Sequence, residues 1–208
     1  MSDELVFYTN PMSRGRIVRW MLEEVGCPYR TELLEYGTTM KAPAYLSINP
    51  MGKVPAIRHG ETVVTEAAAI CAYLADAFPQ AELAPLPGDP RRGAYYRWLF
   101  FGAGPVEAAI VDKARGIVVP EEKRAIVGYG CYEDAMSVLE MAISAHDYIT
   151  GDHFTAADVY VGSQIGWGTM FGTIEKRPAF MQYLERLQAR PAAKRAKEID
   201  DTLIPPKT

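Results

Sequence analysis

Residues 49–68, NPMGKVPAIRHGETVVTEAA, decide the fold. Two short β-prone runs, VPAIRH (54–59) and TVVT (62–65), flank His59-Gly60-Glu61, which is the pattern of a hairpin. Pro55 stands at the entry of the first run, where no ladder donor is needed, so taken alone it reads as an ordinary strand-opening proline. A cis Val54–Pro55 bond is the alternative; it would turn the Val54 N–H and C=O away from the sheet, free for a peptide-like ligand. From Glu66 to Phe78 the apolar positions Ala67, Ile70, Cys71, Leu74 and Phe78 follow helical spacing. The stretch therefore predicts strand, turn, strand, helix.

Working toward the N-terminus, LVFYT (5–9) is a short apolar run suited to a buried strand, and Pro11 stops it. A helix fits from about Ser13 to Val25, with Ile17, Met21 and Val25 on one stripe and Gly26 and Pro28 ending it. YRTELL (29–34) has strand character, and a loop with a short helical segment fills 36–50. The order β-α-β-α-β-β-α describes an α/β, thioredoxin-like layer fold.

Toward the C-terminus, AELAPLPGDP (81–90) carries three prolines and a glycine and reads as a linker. Residues 1–80 thus form one expected domain and 91–208 a second, all-α one. Its segments are a helix from about Asp89 to Gly116 disturbed near Gly102–Pro105, a long stretch Glu121–His146, and Thr155–Phe171, Pro178–Ala189 and Pro191–Asp200. Thr155 and Asp158 have capping-box spacing, with Phe154 and Val159 at staple spacing.

Composition narrows the function. The 208 residues are 49% hydrophobic and 23% charged, ordinary for a globular chain and incompatible with a disordered one. The net charge is 22 − 26 = −4, with no large basic field for a nucleic acid. No run of 18 apolar residues spans a membrane, and MSDELVFYTN lacks a basic leader. Cys27, Cys71 and Cys131 form no C-x-x-C and read as reduced, in a cytoplasmic protein. His59, His146 and His153 show no metal-ligand spacing. Arg186, Arg190, Lys194, Arg195 and Lys197 are interrupted by acids and read as a solvated face.

Two junctions can carry chemistry. In Tyr8-Thr9-Asn10-Pro11-Met12-Ser13-Arg14-Gly15-Arg16 a strand runs into a helix N-terminus, which has unsatisfied N–H donors and favours an anion. Ser13 sits where an N-cap hydroxyl would, and taken alone capping is the preferred reading of it. Tyr8 alone reads as a half-buried strand aromatic, and Arg14 as a solvated first-turn arginine or a source of positive potential. Thr65-Glu66-Ala67-Ala68 is a second strand-to-helix junction, with a carboxylate beside free backbone donors.

With N-P-x-G-x-V-P followed about ten residues later by T-E-A-A, and NPMSRGRIVRWMLEEVG near the start, the whole chain resembles the cytosolic glutathione transferase family, its bacterial members in particular. The resemblance implies a homodimer that uses glutathione as co-substrate, with no metal, and joins its thiolate to a small apolar electrophile. By position Ser13, or else Tyr8, would contact the sulfur, with Arg14 adjacent. Val54, ahead of Pro55, would pair with the cysteinyl moiety. Glu66 and the Ala67 N–H would hold the γ-glutamyl group, and Lys53 or Lys41 would reach the glycyl carboxylate. Met12, Phe101, Val106, Tyr160 and Trp167 are the candidate walls for the electrophile. Many members have Ser where this chain has Ala67, so one side-chain hydroxyl is missing here. The absence of Cys at the first-turn site argues against thiol-exchange members. A glutathione-dependent peroxidase, isomerase or dehalogenase, and a non-catalytic ligand- or protein-binding member, are the alternatives.

Overall fold

The computed structural model describes residues 4–204 and divides into two compact units. The first comprises the described residues up to 82 together with those from 190 onward; the second is Leu83–Ala189.

In the first unit, strands β1 (Leu5–Thr9), β2 (Arg30–Leu33), β3 (Ala56–His59) and β4 (Thr62–Thr65) form one sheet in the order β2-β1-β3-β4. β1 runs parallel to β2 and antiparallel to β3; β3 and β4 are the expected hairpin. β1 is central, and Leu5, Val6 and Phe7 are buried, which is why its sequence is a continuous apolar run rather than an alternating one. Helices α1 (Gly15–Val25) and α3 (Ala67–Ala77) pack against each other, and a short α2 (Pro43–Leu46) lies between β2 and β3. α1 ends as its sequence predicts, at Gly26 in the left-handed conformation with its N–H on the Leu22 carbonyl. This is the thioredoxin-like layer arrangement the element order implies.

The C-terminal helix α9 (Pro191–Thr202) packs on α1, and so belongs with the sheet-bearing unit rather than with the helices that precede it in the chain. Three ion pairs join the two helices, Arg16–Asp201 at 2.8 Å, Arg19–Asp200 at 3.1 Å and Glu23–Arg195 at 3.2 Å, and Arg190, just ahead of α9, adds a pair with Glu24 at 2.7 Å. The basic C-terminal face is therefore not simply solvated. Arg190 clasps Glu24 with two parallel bonds of 2.7 Å, the fork geometry that a guanidinium favours.

The second unit contains α4 (Arg92–Phe101), α5 (Glu107–Ala114), α6 (Tyr132–Ala145), α7 (Ala156–Phe171) and α8 (Pro178–Gln188). Between α4 and α5 the helix passes through a π-helical turn, Gly102–Val106, that contains Pro105, where the sequence predicts a disturbance. The stretch from Glu121 to His146 is not one helix. A 3₁₀ segment at Glu121–Ile126 is separated from α6 by a turn in which Gly130 takes a φ of 68° and its N–H bonds Val127 C=O at 2.8 Å. The Tyr129 hydroxyl fixes that turn by donating to Asp112 at 2.7 Å.

α7 is buried along most of its length and packs against α4 and α8. Its N-terminus carries the capping box: the buried Asp158 carboxylate accepts from the Thr155 N–H at 2.8 Å. The same carboxylate takes the Thr155 hydroxyl at 3.0 Å, the Ile149 N–H at 2.8 Å and the Tyr183 hydroxyl at 2.8 Å. Burial pushes its pKa up and these four donors pull it back.

Candidate active site

The turn before α1 is closed by its own side chains. Asn10 Oδ1 accepts the Met12 N–H at 2.9 Å, while Asn10 Nδ2 donates to Leu34 C=O at 2.8 Å. The Ser13 hydroxyl donates to Asn10 C=O at 2.7 Å and accepts the Gly15 N–H at 2.9 Å. Asn10 C=O also receives the Ser13 N–H at 3.1 Å. Arg16 Nε donates to Pro11 C=O at 2.6 Å, and the Tyr36 hydroxyl to Met12 C=O at 3.2 Å. Gly15 is required here: a Cβ at this position would stand 1.9 Å from Thr9 Oγ1, which is fully buried.

Ser13 is thus only 6% exposed and its single proton is engaged, while Met12 and Arg14 beside it are exposed. The helix proper begins two residues later than the sequence suggests, and Ser13 performs a cap's function by satisfying the first amide. Tyr8 lies on β1, half-buried, with its ring tilted against Tyr45 at 5.6 Å and packed on the Met40, Tyr45 and Ala56 cluster. This is the strand-aromatic role.

The Val54–Pro55 peptide is cis, the alternative to the ordinary strand-opening proline. Val54 precedes the ladder, whose first β3 residue, Ala56, pairs with Tyr8. Two side chains hold this entry: the Tyr45 hydroxyl donates to Lys53 C=O at 2.6 Å and Asn49 Nδ2 to the same oxygen at 2.8 Å. Asn49 Oδ1 in turn takes the Met51 N–H at 3.0 Å. Asn49 and Tyr45 are 5% and 3% exposed, so the loop is pinned from the interior. Burial pushes the Tyr45 phenol up to about 12, which keeps it a donor. Neither residue was singled out from the sequence, although Asn49 opens the quoted motif. Lys53 and Lys41 are exposed, and Lys41 Nζ donates to Met51 C=O at 3.0 Å.

Glu66 is exposed and has a φ of 67° and ψ of 116°, a region that non-glycine residues rarely occupy. Such strain persists where surrounding structure enforces it, and it gathers at ligand clamps. Behind it α3 opens with no side-chain cap. The first backward bond runs from the Ile70 N–H to Glu66 C=O at 2.9 Å, which leaves the Ala67, Ala68 and Ala69 amides at the head of the helix without an intrahelical acceptor. The result is an exposed carboxylate beside a cluster of donors. That arrangement suits an amino acid zwitterion, whose ammonium faces the carboxylate and whose carboxylate faces the amides.

Of the candidate walls for an apolar substrate, Phe101 and Trp167 are half-buried in the helical unit. Val106 and Tyr160 are 0% and 5% exposed, so their surfaces are spent on its core. The Tyr160 hydroxyl accepts from Gln164 at 3.0 Å, and its ring lies against Gly102. Among the described residues no group of His, Cys, Asp and Glu could hold a metal ion, and no helix is long and apolar enough to cross a membrane.

Known proteins resemble this chain in sequence and in fold. Residues 12–77 match the family model described as "Glutathione S-transferase, N-terminal domain". A maleylacetoacetate isomerase from Pseudomonas aeruginosa is 29% identical over 86% of this chain and 88% of its own length. A crystal structure of a glutathione transferase from Methylococcus capsulatus superposes with a TM-score of 0.79 at 28% identity, covering 95% of this chain and 99% of that one. A sphingomonad glutathione S-transferase, solved in complex with glutathione, gives 0.77 at 25% identity over 94% and 98%. Residues 12–77 thus carry a glutathione S-transferase N-terminal domain, and with the thioredoxin-like sheet and the helical region that follows it the chain is similar to glutathione transferases along nearly its full length.

Proposed function

We propose that the chain binds glutathione on its sheet-bearing unit, lowers the pKa of the thiol at the N-terminus of α1, and delivers the thiolate to a small apolar electrophile. The observation that carries this reading is Glu66, held at a strained φ of 67° with its carboxylate exposed and uncapped amides behind it. Glu66 takes the ammonium of the γ-glutamyl group and the Ala67 amide its carboxylate. The Val54 backbone, which lies ahead of the ladder, pairs with the cysteinyl moiety, and Lys41 or Lys53 meets the glycyl carboxylate. A homodimer in the cytoplasm belongs to the same proposal.

Magnitudes set what Ser13 contributes. A free thiol has a pKa of about 8.5, and each unit of lowering needs about 1.4 kcal/mol of preference for the anion. A hydrogen bond to a charged group is worth roughly 1.5–3 kcal/mol, against about 0.5–1.5 kcal/mol for a neutral one. The Ser13 proton therefore leaves Asn10 C=O for a thiolate at a net gain, and that carbonyl keeps the Ser13 N–H. The helix terminus adds about 0.3–1 kcal/mol. Together they lower the thiol pKa by about 1–2 units with no protein base. Ser13 donates to the nucleophile and is not itself one; the sulfur forms the new bond to carbon and the displaced group leaves with the electron pair. Isomerisation on the same thiolate is a second reading, supported by the isomerase relative.

Two substitutions test the placement. Ser13→Ala is expected to lower turnover at pH 7 about ten-fold while glutathione affinity stays within a factor of two. Unchanged turnover would move the sulfur contact to Tyr8 or to backbone donors. Glu66→Ala is expected to weaken glutathione binding by ten-fold or more in calorimetry, since it removes a charge-assisted bond. Unaltered affinity would sink the γ-glutamyl placement.

A further inference from the structure

The carbonyls of the first-turn site are each held by a donor, and one of those donors is controlled from the far end of the chain. Asn10 C=O is held by Ser13 within the turn, and Met12 C=O by Tyr36, 24 residues on in the same unit. Pro11 C=O is held by Arg16 Nε at 2.6 Å. The same guanidinium donates through Nη2 to Asp201 Oδ1 at 2.8 Å, 185 residues away on α9. Asp201 is itself anchored by Lys197 at 2.5 Å within α9. The Arg16 side chain is 23% exposed. Such a side chain has several solvated rotamers, and ordering it costs about 1.5–2 kcal/mol of rotamer entropy. The carboxylate of Asp201 selects the one rotamer whose Nε meets Pro11. A planar guanidinium presents Nε and Nη2 to these two acceptors in a fixed fork, whereas a lysine has a single Nζ in place of the two nitrogens.

We infer that Arg16 and Asp201 are positioning residues of the thiolate site, through which α9 sets the geometry of the Pro11–Ser13 turn. The proposal rests on the assignment of that turn as the sulfur site, and it adds an element that the first-turn sequence does not contain. Neither residue touches the thiol. The remaining α1–α9 ion pairs, such as Glu23–Arg195, dock the same helix without reaching the turn. They separate helix docking from turn positioning.

The test compares Asp201→Ala with Arg195→Ala in the full chain. Amide hydrogen exchange in the ligand-free protein is expected to quicken by roughly ten-fold or more at Met12, Ser13 and Gly15 in Asp201→Ala, and to stay unchanged there in Arg195→Ala. With glutathione as probe, Asp201→Ala is expected to raise the bound thiol pKa by about half a unit while glutathione affinity stays within two-fold. Arg16→Lys should reproduce both effects, and the Arg16→Lys/Asp201→Ala double variant should be no worse than either single one. Turn amides that exchange at the wild-type rate in Asp201→Ala, or that quicken equally in Arg195→Ala, would overturn the inference. A wild-type chain that fails to bind glutathione would refute the proposed function instead, while the exchange comparison still decides the positioning role.

Discussion

Asp200→Ala is expected to cost the fold about 3–5 kcal/mol, because it strands a buried cation. Arg19 and Asp200 are 2% and 1% exposed, on α1 and α9. The guanidinium gives Nε to Asp200 at 3.1 Å and Nη1 to the Tyr29 and Thr31 hydroxyl oxygens at 2.9 and 2.8 Å. Its carbon also lies 4.9 Å from the centre of the Phe7 ring. Its Nη2 has no hydrogen-bond partner among the described residues. Asp200 is the carboxylate paired with it; burial pushes that carboxyl up while Arg19 pulls it down. With Asp200 gone, the charge loses its partner but stays in a site that water barely reaches. Urea unfolding reads the loss as a lowered midpoint at unchanged slope. A double replacement, Arg19→Leu with Asp200→Leu, should recover most of it, since an apolar pair of similar volume suits such a site as well as an ion pair does. A loss below about 1 kcal/mol for Asp200→Ala would show that the pair is solvated or dispensable.

Asp158→Ala is expected to be as damaging to the helical unit. Its carboxylate satisfies the Ile149 and Thr155 amides and the Tyr183 hydroxyl. These residues are 3%, 4% and 1% exposed, so their donors find little water in its place. Each buried donor left unsatisfied costs about 1–3 kcal/mol, so a total of at least about 2 kcal/mol follows even if one relaxes outward. Tyr183→Phe removes a single bond and should cost about 1 kcal/mol. Amide exchange locates the damage: α7 and the Ile149 turn should lose protection while β1 keeps it. Equal costs for Asp158→Ala and Tyr183→Phe would contradict the shared-carboxylate account.

Both carboxylates bear on what a sequence reveals. Asp158 was legible because a capping box is local: Thr155 and Asp158 are three residues apart, and helix-start chemistry needs that spacing. The pairing of Asp200 and Asp201 with Arg19 and Arg16 was not legible, because these partners lie more than 180 residues away and packing alone brings them together. β1, the hairpin and α1 could be read from apolar runs and periodicity, which act within one element. The break between Glu121 and His146 was missed because the apolar spacing continues through it, and the single Gly130 in the left-handed region turns the chain instead. The site divides in the same way. The junctions at Ser13 and Glu66 were visible as residue types at helix starts. The cis bond at Val54–Pro55 was one of two readings that the sequence left open; the positive φ of Glu66 and the engagement of the Ser13 proton were not visible, since a backbone angle and a hydrogen-bond partner are set by the folded neighbours.

The central claim is that this chain makes a better thiolate of glutathione than water does. An ultraviolet titration of glutathione on the protein, following thiolate absorbance against pH, tests it most directly. The account predicts saturable binding with a bound thiol pKa about 1–2 units below the free value of about 8.5, most of that lowering being lost in Ser13→Ala. Saturable binding with an unshifted thiol, or no binding at all, would contradict it.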